Sequence, residues 1–247
     1  MPSHNQAVTR HFEANLATYI GKESVCYADM CEARFAQIAK FVAPDRAIAA
    51  LDVGCGGGVF IDRFLDQFPQ ATSFGIDFSS GMLAKNEPHG RKRLVCADAQ
   101  HPPFTPSTFD LINVEALMHH LVEPGGYRDT MSSILKFLTS ARRMLKPGGA
   151  LAVREIYHED RLTGSLAPRL IYEVSRRQLP AICTGILRRR GLTTAGVGVA
   201  FLSRRQWPEM FSRAGFVIVD LIDIPWPHRW TRPGLRSGDL FYLCRIR

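Results

Sequence analysis

Short apolar runs alternate with helix-length amphipathic segments through the middle of the chain. Five such runs stand in order, at Leu51–Val53, Phe74–Asp77, Val95–Ala99, Phe109–Val114 and Ala150–Glu155. Near-continuous apolar strands separated by helical patterns are typical of a parallel sheet that is covered on both faces. The pattern therefore predicts an α/β fold with helices on both sides of a mostly parallel sheet.

The segments that flank this array have their own patterns. Apolar residues recur at helical spacing over residues 4–42, with a break at Gly21, which predicts a helical N-terminal cap over residues 1–45. The remaining residues, 46–247, form the main domain. Within it, residues 161–200 predict two short helices separated near Pro180 and then a glycine-rich loop. We interpret this insertion as a lid that helps to bind substrate, and an ordinary helical hairpin over the sheet edge is the alternative.

The C-terminal part returns to a regular pattern. Ser203–Ala214 predicts a helix with Ser203 as its cap and Gly215 at its end. Phe216–Ile224 and Leu240–Ile246 predict two final strands. With the five strands above, they make a sheet of seven.

A glycine-rich turn follows the first strand directly. After Leu51–Val53 the sequence reads Gly-Cys-Gly-Gly-Gly over residues 54–58. Glycine lets a backbone adopt positive φ and approach a ligand closely, and open α/β sheets bind ligands at the carboxyl ends of their strands. Val59 stands where the dinucleotide fingerprint needs its third glycine, which disfavours a dehydrogenase. No Gly-Lys-Ser/Thr follows, so a P-loop is excluded.

Carboxylates end the next two strands of the predicted sheet. Asp77 ends the second, about twenty residues beyond the turn, as expected of an acid that binds a ribose. Asp98 ends the third strand. With these residues the chain resembles the class I S-adenosylmethionine-dependent methyltransferases, and among them the enzymes of quinone and malonyl-carrier pathways. The motifs in family order are Asp52 with the glycine turn, Asp77, Asp98-Ala99 followed by Pro103-Phe104, Phe109–Ile112 and Leu145–Gly149.

The resemblance implies a Rossmann-like, seven-stranded, mostly parallel sheet with one antiparallel strand in a terminal hairpin. It also implies that S-adenosyl-L-methionine is the cofactor. Asp77 would bind the ribose, Asp98 and the Ala99 amide the adenine, and Glu115 the methionine end. Tyr19 would close over the site, although it also fits an amphipathic stripe. The predicted cofactor contacts are Tyr19, Asp52, Gly54, Cys55, Gly56, Asp77, Phe78, Met82, Asp98, Ala99 and Glu115.

Candidate bases follow the fourth and fifth strands. Methyl transfer from a sulfonium needs mainly proximity and orientation, and a base only where the acceptor must lose a proton. His119 and His120 follow the fourth strand, and an imidazole has a suitable pKa. His120 also matches a histidine that in the family often shapes this turn. Glu155 and His158 come at the end of the fifth strand, where a surface loop is the alternative for His158.

Composition narrows the class of protein. The formal net charge is +8, and ten arginines against two acids lie between Arg161 and Arg213. Such a segment suits an acidic ligand, an anionic surface or nucleic acid, and also an ordinary solvated face. The six cysteines are scattered without a Cys-x-x-Cys pair, so no metal is expected. No signal peptide or membrane-spanning run is recognisable, which predicts a cytoplasmic protein.

The leading hypothesis is therefore methyl transfer by in-line displacement to O, N or C of a small molecule, with an apolar, amphiphilic or acidic acceptor. A tRNA or rRNA methyltransferase is the alternative. Residues 113–116 lack the Asn/Asp-Pro-Pro-Tyr/Phe motif of amino-methylating nucleic-acid enzymes, and no cysteine has the context of the pyrimidine C5 enzymes, so nucleic acid is disfavoured. A cofactor-binding regulator without turnover is the third hypothesis. The oligomeric state is open, and a homodimer is compatible with the sequence.

Overall fold

The computed structural model describes residues 32–42, 45–177, 183, 196, 198–226 and 234–247. The strands are β1 (Ala49–Val53), β2 (Thr72–Asp77), β3 (Lys92–Cys96), β4 (Phe109–Glu115), β5 (Leu145–Asp160), β6 (Phe216–Pro225) and β7 (Leu235–Ile246). The helices are α1 (residues 32–39), α2 (Val59–Gln67), α3 (Ser80–Leu83), α4 (Tyr127–Met144), α5 (Leu166–Ser175) and α6 (Gln206–Arg213), with a 3-10 turn at Met118–His120. None of the helices in these ranges is long and apolar enough to cross a membrane.

The strands form one sheet in the order β3-β2-β1-β4-β5-β7-β6. Strands β1 to β5 pair in parallel, whereas β7 is antiparallel to both of its neighbours. The predicted seven-stranded, mostly parallel sheet is confirmed. Strand order reverses between β1 and β4, and a crevice outside the carboxyl ends of the strands at such a point is where open α/β sheets bind ligands.

A hydrophobic core lies on each face of the sheet. On one face, α1 and α2 pack against it, and Phe60, Phe64 and Phe68 of α2 and its end stack in a row with centroids 5.6 and 4.6 Å apart. On the other face, Ile134 and Phe137 of α4 and Trp207 and Phe211 of α6 lie fully within the core. Helices on both faces, as the alternation of patterns predicted, hold the carboxyl ends of the strands in fixed register.

Strand β5 is longer than the sequence predicted. It pairs with β7 from Ala150–Arg245 to Asp160–Leu235, so the two strands extend together past the end of β4. His158, for which a surface loop was the alternative, therefore lies within a strand. At its start, the register shifts between Phe109–Leu145 and Leu111–Ala150, so residues 146–149 bulge out of β5. The extension depends on pairing with a strand some eighty residues away, which local patterns do not reveal.

The insertion after β5 begins with one helix, α5, that the sequence predicted. The carboxylate of Asp160 accepts hydrogen bonds from the amides of Thr163 (2.6 Å), Leu166 (2.8 Å) and Ala167 (3.2 Å). These bonds, that of Thr163 first, hold the pKa of Asp160 well below its usual range. The second predicted helix and most of the glycine-rich loop lie outside the described residues, as do residues 1–31 with Tyr19 among them. The lid and the division into cap and main domain stay predictions.

Candidate functional site

The glycine turn after β1 is tied to β2 by its backbone. Gly54, Gly56 and Gly58 have φ values of 74, 51 and 82°, which glycine adopts without the steric cost of a Cβ. The amides of Gly54 and Cys55 both donate to the carbonyl of Ile76, at 2.8 and 3.0 Å. Gly58 is the cap residue of α2, so the turn delivers the chain directly into that helix.

Asp77 lies against this turn, as predicted. One carboxylate oxygen accepts from the Gly56 amide at 3.0 Å and the other from the Ser79 amide at 2.8 Å. Burial raises the pKa of Asp77, and these two backbone bonds oppose the rise. Ser79 in turn caps α3 by accepting from the Met82 amide. Asp77, the partly buried Phe78 and the buried Met82 are thus held in one compact corner beside the turn.

Two residues that sequence analysis missed support the turn from outside. Asn86 donates through Nδ2 to the carbonyl of Gly56 at 2.9 Å and to that of Leu83 at 3.2 Å. The buried ammonium of Lys92 is in contact with the carboxylate of Asp62 in α2. A Cβ at Gly58 would stand 1.8 Å from Asn86 Oδ1, so the glycine at this position leaves the space that Asn86 fills. The sequence around Asn86 and Lys92 gives no sign of these roles, because the roles depend on contacts with residues that are distant in the chain.

A buried polar chain runs from β1 through β4 to α1. Asn113 donates from Nδ2 to Asp52 at 2.7 Å and accepts a hydrogen bond from Arg34 through Oδ1. Nε of Arg34 lies 2.8 Å from Oε1 of Glu115. Asp52 and Glu115 were predicted, whereas Arg34 and Asn113 were missed. The available signal was an arginine on a helix face that otherwise buries Phe35 and Ile38.

One guanidinium nitrogen of Arg34 is buried without an acceptor among the described residues. Its side chain is 2% exposed, yet Nη1 has no hydrogen-bond partner among the residues that the structure describes. A buried, unsatisfied guanidinium nitrogen is costly and calls for an acceptor. With two carboxylates and one guanidinium side by side, the carboxyl ends of β1 and β4 offer partners for an ammonium group and for a carboxylate. The chemistry of this donor set fits the amino-acid end of S-adenosylmethionine.

Asp98 and Ala99 lie at the outer end of the same edge. Asp98 is exposed, and its carboxylate accepts from the Gln100 amide at 2.9 Å and contacts Nδ1 of His101 at 3.3 Å. The Ala97 amide donates to the carbonyl of Asp77 at 3.0 Å, so this loop is fastened beside the Asp77 corner. The predicted cofactor residues from Asp52 to Glu115 therefore share one edge of the sheet.

The catalytic candidates form a second cluster, after β4 and along β5. Nδ1 of His119 lies 2.6 Å from Oε2 of Glu155, and Oε1 of Glu155 accepts from the Met118 amide at 2.6 Å. Both side chains are buried. The His120 ring lies beside that of His119, with centroids 4.1 Å apart. The sequence named these residues separately, and the structure brings His119 and Glu155 into direct contact.

His158 belongs to the same cluster but has a different hydrogen-bond partner. Its Nδ1 lies 2.6 Å from the hydroxyl of Ser237 on β7. Burial first, and repulsion from His119 second, lower the pKa of His158 to about 4. Phe201 contacts both imidazoles, with centroids 4.9 Å from His119 and 4.5 Å from His158. His158 is therefore neutral near pH 7. In the described ranges, no group of three His, Cys, Asp or Glu side chains could hold a metal ion.

Comparison with known proteins points to one family. Residues 51–153 match the family described as methyltransferase domain. A protein of Aspergillus luteorubrus named probable methyltransferase is 29% identical over 67% of this chain and 56% of its own length. A malonyl-acyl-carrier-protein O-methyltransferase of Halalkalibacterium halodurans is 29% identical over 82% of this chain and 68% of its own. The matched segment thus spans little more than half of the Aspergillus protein.

Solved structures share the fold. A SAM-dependent methyltransferase of Methanosarcina mazei has a TM-score of 0.56, with 18% identity over 85% of this chain and 96% of its own. The phosphoethanolamine N-methyltransferase 2 of Haemonchus contortus, in complex with S-adenosyl-L-methionine, has a TM-score of 0.57 and 15% identity over 87% of this chain and 52% of its own. Residues 51–153 therefore match a methyltransferase domain, and the sheet has the fold of solved S-adenosylmethionine-dependent methyltransferases.

Proposed function

We propose that this chain transfers the methyl group of S-adenosylmethionine to O, N or C of a small-molecule acceptor. One observation carries the proposal: the glycine turn and Asp77 are hydrogen-bonded to each other at the point where the strand order reverses. When bound, the cofactor supplies a methyl group already activated on a sulfonium. The protein's share is then to bind, orient and exclude water.

Each part of the cofactor has candidate partners along the sheet edge. Asp77 can accept from both ribose hydroxyls, because each carboxylate oxygen retains acceptor capacity beyond its backbone bond. Asp98 and the Ala99 amide suit the adenine edge, and Phe78 and Met82 flank it. Asp52 and Glu115 suit the ammonium group, and Nη1 of Arg34 suits the carboxylate. Gly54, Cys55 and Gly56 provide backbone close to the ligand, and Tyr19 stays a predicted cover.

The acceptor belongs on the side of the second cluster. His119 follows β4, and Glu155 and His158 lie on the part of β5 that continues past its pairing of Arg154 with Glu115. The insertion that starts with α5 adds apolar surface there, since Leu166 and Leu170 are both exposed. A relative named as a malonyl-acyl-carrier-protein O-methyltransferase agrees with an acidic or amphiphilic acceptor. The arginines between Arg161 and Arg213 would favour such a molecule.

A nucleic-acid substrate is the weaker candidate. The basic segment is its main support, but part of that charge is already neutralised within the fold. Arg204 pairs with Glu159 and Asp223, and Arg176 pairs with Glu173. Electrostatic binding to phosphates needs free cations, and it weakens steeply as salt increases. Cytoplasmic location and a homodimer likewise stay predictions.

The test is a transfer assay with methyl-labelled cofactor. The full chain is incubated with fractions of a metabolite extract and, separately, with total RNA. We expect label in small molecules, dependent on the protein and abolished in Asp77→Ala. Label in RNA alone would contradict the proposal in favour of the nucleic-acid alternative. Release of label without any product would favour a cofactor-binding regulator.

A further inference from the structure

We propose that His119, held by Glu155, is a general base, and that the acceptor is therefore a planar ring or enol hydroxyl that is methylated on oxygen. This inference rests on the proposed function and narrows it to one class of acceptor.

Glu155 fixes which nitrogen of His119 carries the proton. A carboxylate accepts hydrogen bonds, so the 2.6 Å contact requires Nδ1–H to donate to Oε2. The neutral imidazole then keeps its lone pair on Nε2, the nitrogen that can take a proton. Glu155 cannot turn away freely, because its other oxygen accepts from the Met118 amide at 2.6 Å. His119 is thus oriented as a base, and Glu155 is its positioning residue.

His158 does not compete for this role. A base works best when its pKa lies near the working pH, and the pKa of His158 is lowered to about 4. Its Nδ1 is also engaged with Ser237. Among the residues that the structure describes, no carboxylate contacts the His158 ring, in contrast to the contact between His119 and Glu155. His158 is therefore suited to line the site as a neutral ring.

Aromatic rings lie beside His119 and His158. Phe201 lies against both His119 and His158, and Trp226 contacts His158 edge-on at 5.8 Å. Aromatic rings favour stacked or edge-to-face partners, which gives a planar acceptor an advantage over a flexible one. The backbone around Phe201 is fixed on both sides of this residue. Leu202 forms a parallel β-bridge with Tyr157 of β5, and the Ala200 amide donates to the His119 carbonyl at 2.8 Å.

A base is most useful for a hydroxyl. A carboxylic acid is already ionised near pH 7, and a neutral amine attacks through its own lone pair before it loses a proton. A ring hydroxyl, with a pKa of about 10 as in tyrosine, is almost wholly protonated. Proton removal during transfer by a positioned base contributes about 100- to 10,000-fold in rate. The buried His119–Glu155 pair supplies the positioned base that a hydroxyl acceptor requires.

The step balances in atoms and charge. Nε2 of His119 takes the hydroxyl proton while the acceptor oxygen forms a bond to the methyl carbon. The carbon–sulfur bond breaks, its electron pair stays on sulfur, and the sulfonium becomes a neutral thioether. The positive charge passes to the imidazolium of His119, where the carboxylate of Glu155 balances it. The proton leaves for solvent afterwards.

The test uses protein loaded with S-adenosylhomocysteine, and 4-nitrophenol as the probe, whose ionised form is coloured. Calorimetry first verifies that each variant binds S-adenosylhomocysteine. In the wild type we expect the bound probe to ionise about one to three pH units below the free probe, because an imidazolium stabilises the phenolate. His119→Gln should abolish this shift. His89→Gln, in an exposed loop, is the matched control and should retain it.

Glu155→Gln separates positioning from packing. The glutamine oxygen can still accept from the Met118 amide, but its NH₂ group would face Nδ1 and force the proton onto Nε2. Nitrogen-15 NMR should therefore show the His119 tautomer reversed in this variant, with the ionisation shift lost. If Glu155→Gln does not fold, His119→Gln retains the Glu155–Met118 bond and decides alone. An unchanged tautomer, equal ionisation in His119→Gln, or no binding of 4-nitrophenol to loaded wild type would overturn the inference. Absence of S-adenosylhomocysteine binding would instead overturn the proposed function.

Discussion

Alanine at Gly58 tests whether the glycine turn is held by the packing described above. A Cβ at this position would stand 1.8 Å from Oδ1 and 2.8 Å from Cγ of Asn86. The left-handed backbone, with φ +82°, costs an L-residue about 1–2 kcal/mol by itself. Asn86 must then swing away, which removes its bond to the Gly56 carbonyl at about 1 kcal/mol. Forced repacking adds about 1–2 kcal/mol, so Gly58→Ala should lower the free energy of unfolding by about 3–5 kcal/mol.

Gly148 provides the matched control. Its φ is +78°, nearly the same, but nothing lies within 4 Å of a Cβ added there. Gly148→Ala should therefore cost only the backbone strain of about 1–2 kcal/mol. Urea unfolding gives both values, and the same pair measured in an Asn86→Ala background completes a double-mutant cycle. In that background the two glycine substitutions should cost the same. Equal costs in the wild-type background would refute the contact between Asn86 and the turn.

Three other predictions concern Arg34, His158 and Gly75. Arg34→Met should weaken binding of S-adenosylhomocysteine at least tenfold by calorimetry but leave 5′-methylthioadenosine, which lacks the carboxylate, unaffected; equal losses would show that Arg34 only supports the fold. Because the pKa of His158 is about 4 in the folded state against 6.5 in the unfolded state, the unfolded chain binds the extra proton between these values. The free energy of unfolding should fall by up to about 3 kcal/mol as pH drops from 6.5 to 4. The urea midpoint of His158→Gln should fall less than that of the wild type over this range, and parallel plots of midpoint against pH would contradict this. Gly75→Ala places a Cβ 2.7 Å from Ile61 and Leu94 and 2.8 Å from Cys55 Sγ, so it should cost about 1–3 kcal/mol in urea unfolding, and no change would indicate a looser turn.

The sheet could be predicted from the sequence because the patterns that indicate its strands are local. Each signal needs only neighbouring residues to be recognised: the short apolar runs, the glycine turn after the first run, and Asp77 at the end of the second. The extension of β5 beyond Glu155 was not readable, since it exists only through pairing with residues 235–240 of β7. Strand length beyond a sheet's edge is set by a distant partner rather than by the alternation of side chains.

The site shows the same division. Asp52, Asp77 and Glu115 could be named because they end strands, where an open sheet binds ligands. Arg34 could not be assigned, because a charged residue on an amphipathic helix is usually solvated, and only its contacts with Asn113 and Glu115 reveal a buried role. His119 and Glu155 were each candidates on position alone. Their pairing depends on the 3-10 turn after β4 folding back over β5.

The most direct test of the central claim is calorimetric titration of the purified full chain with S-adenosylmethionine. We predict saturable binding to one site per chain, weakened at least tenfold in Asp77→Asn, which retains the size of the side chain but not its charge. Heat that never appears, or an affinity that is the same in wild type and Asp77→Asn, would contradict the assignment of the glycine turn and Asp77 as the cofactor site.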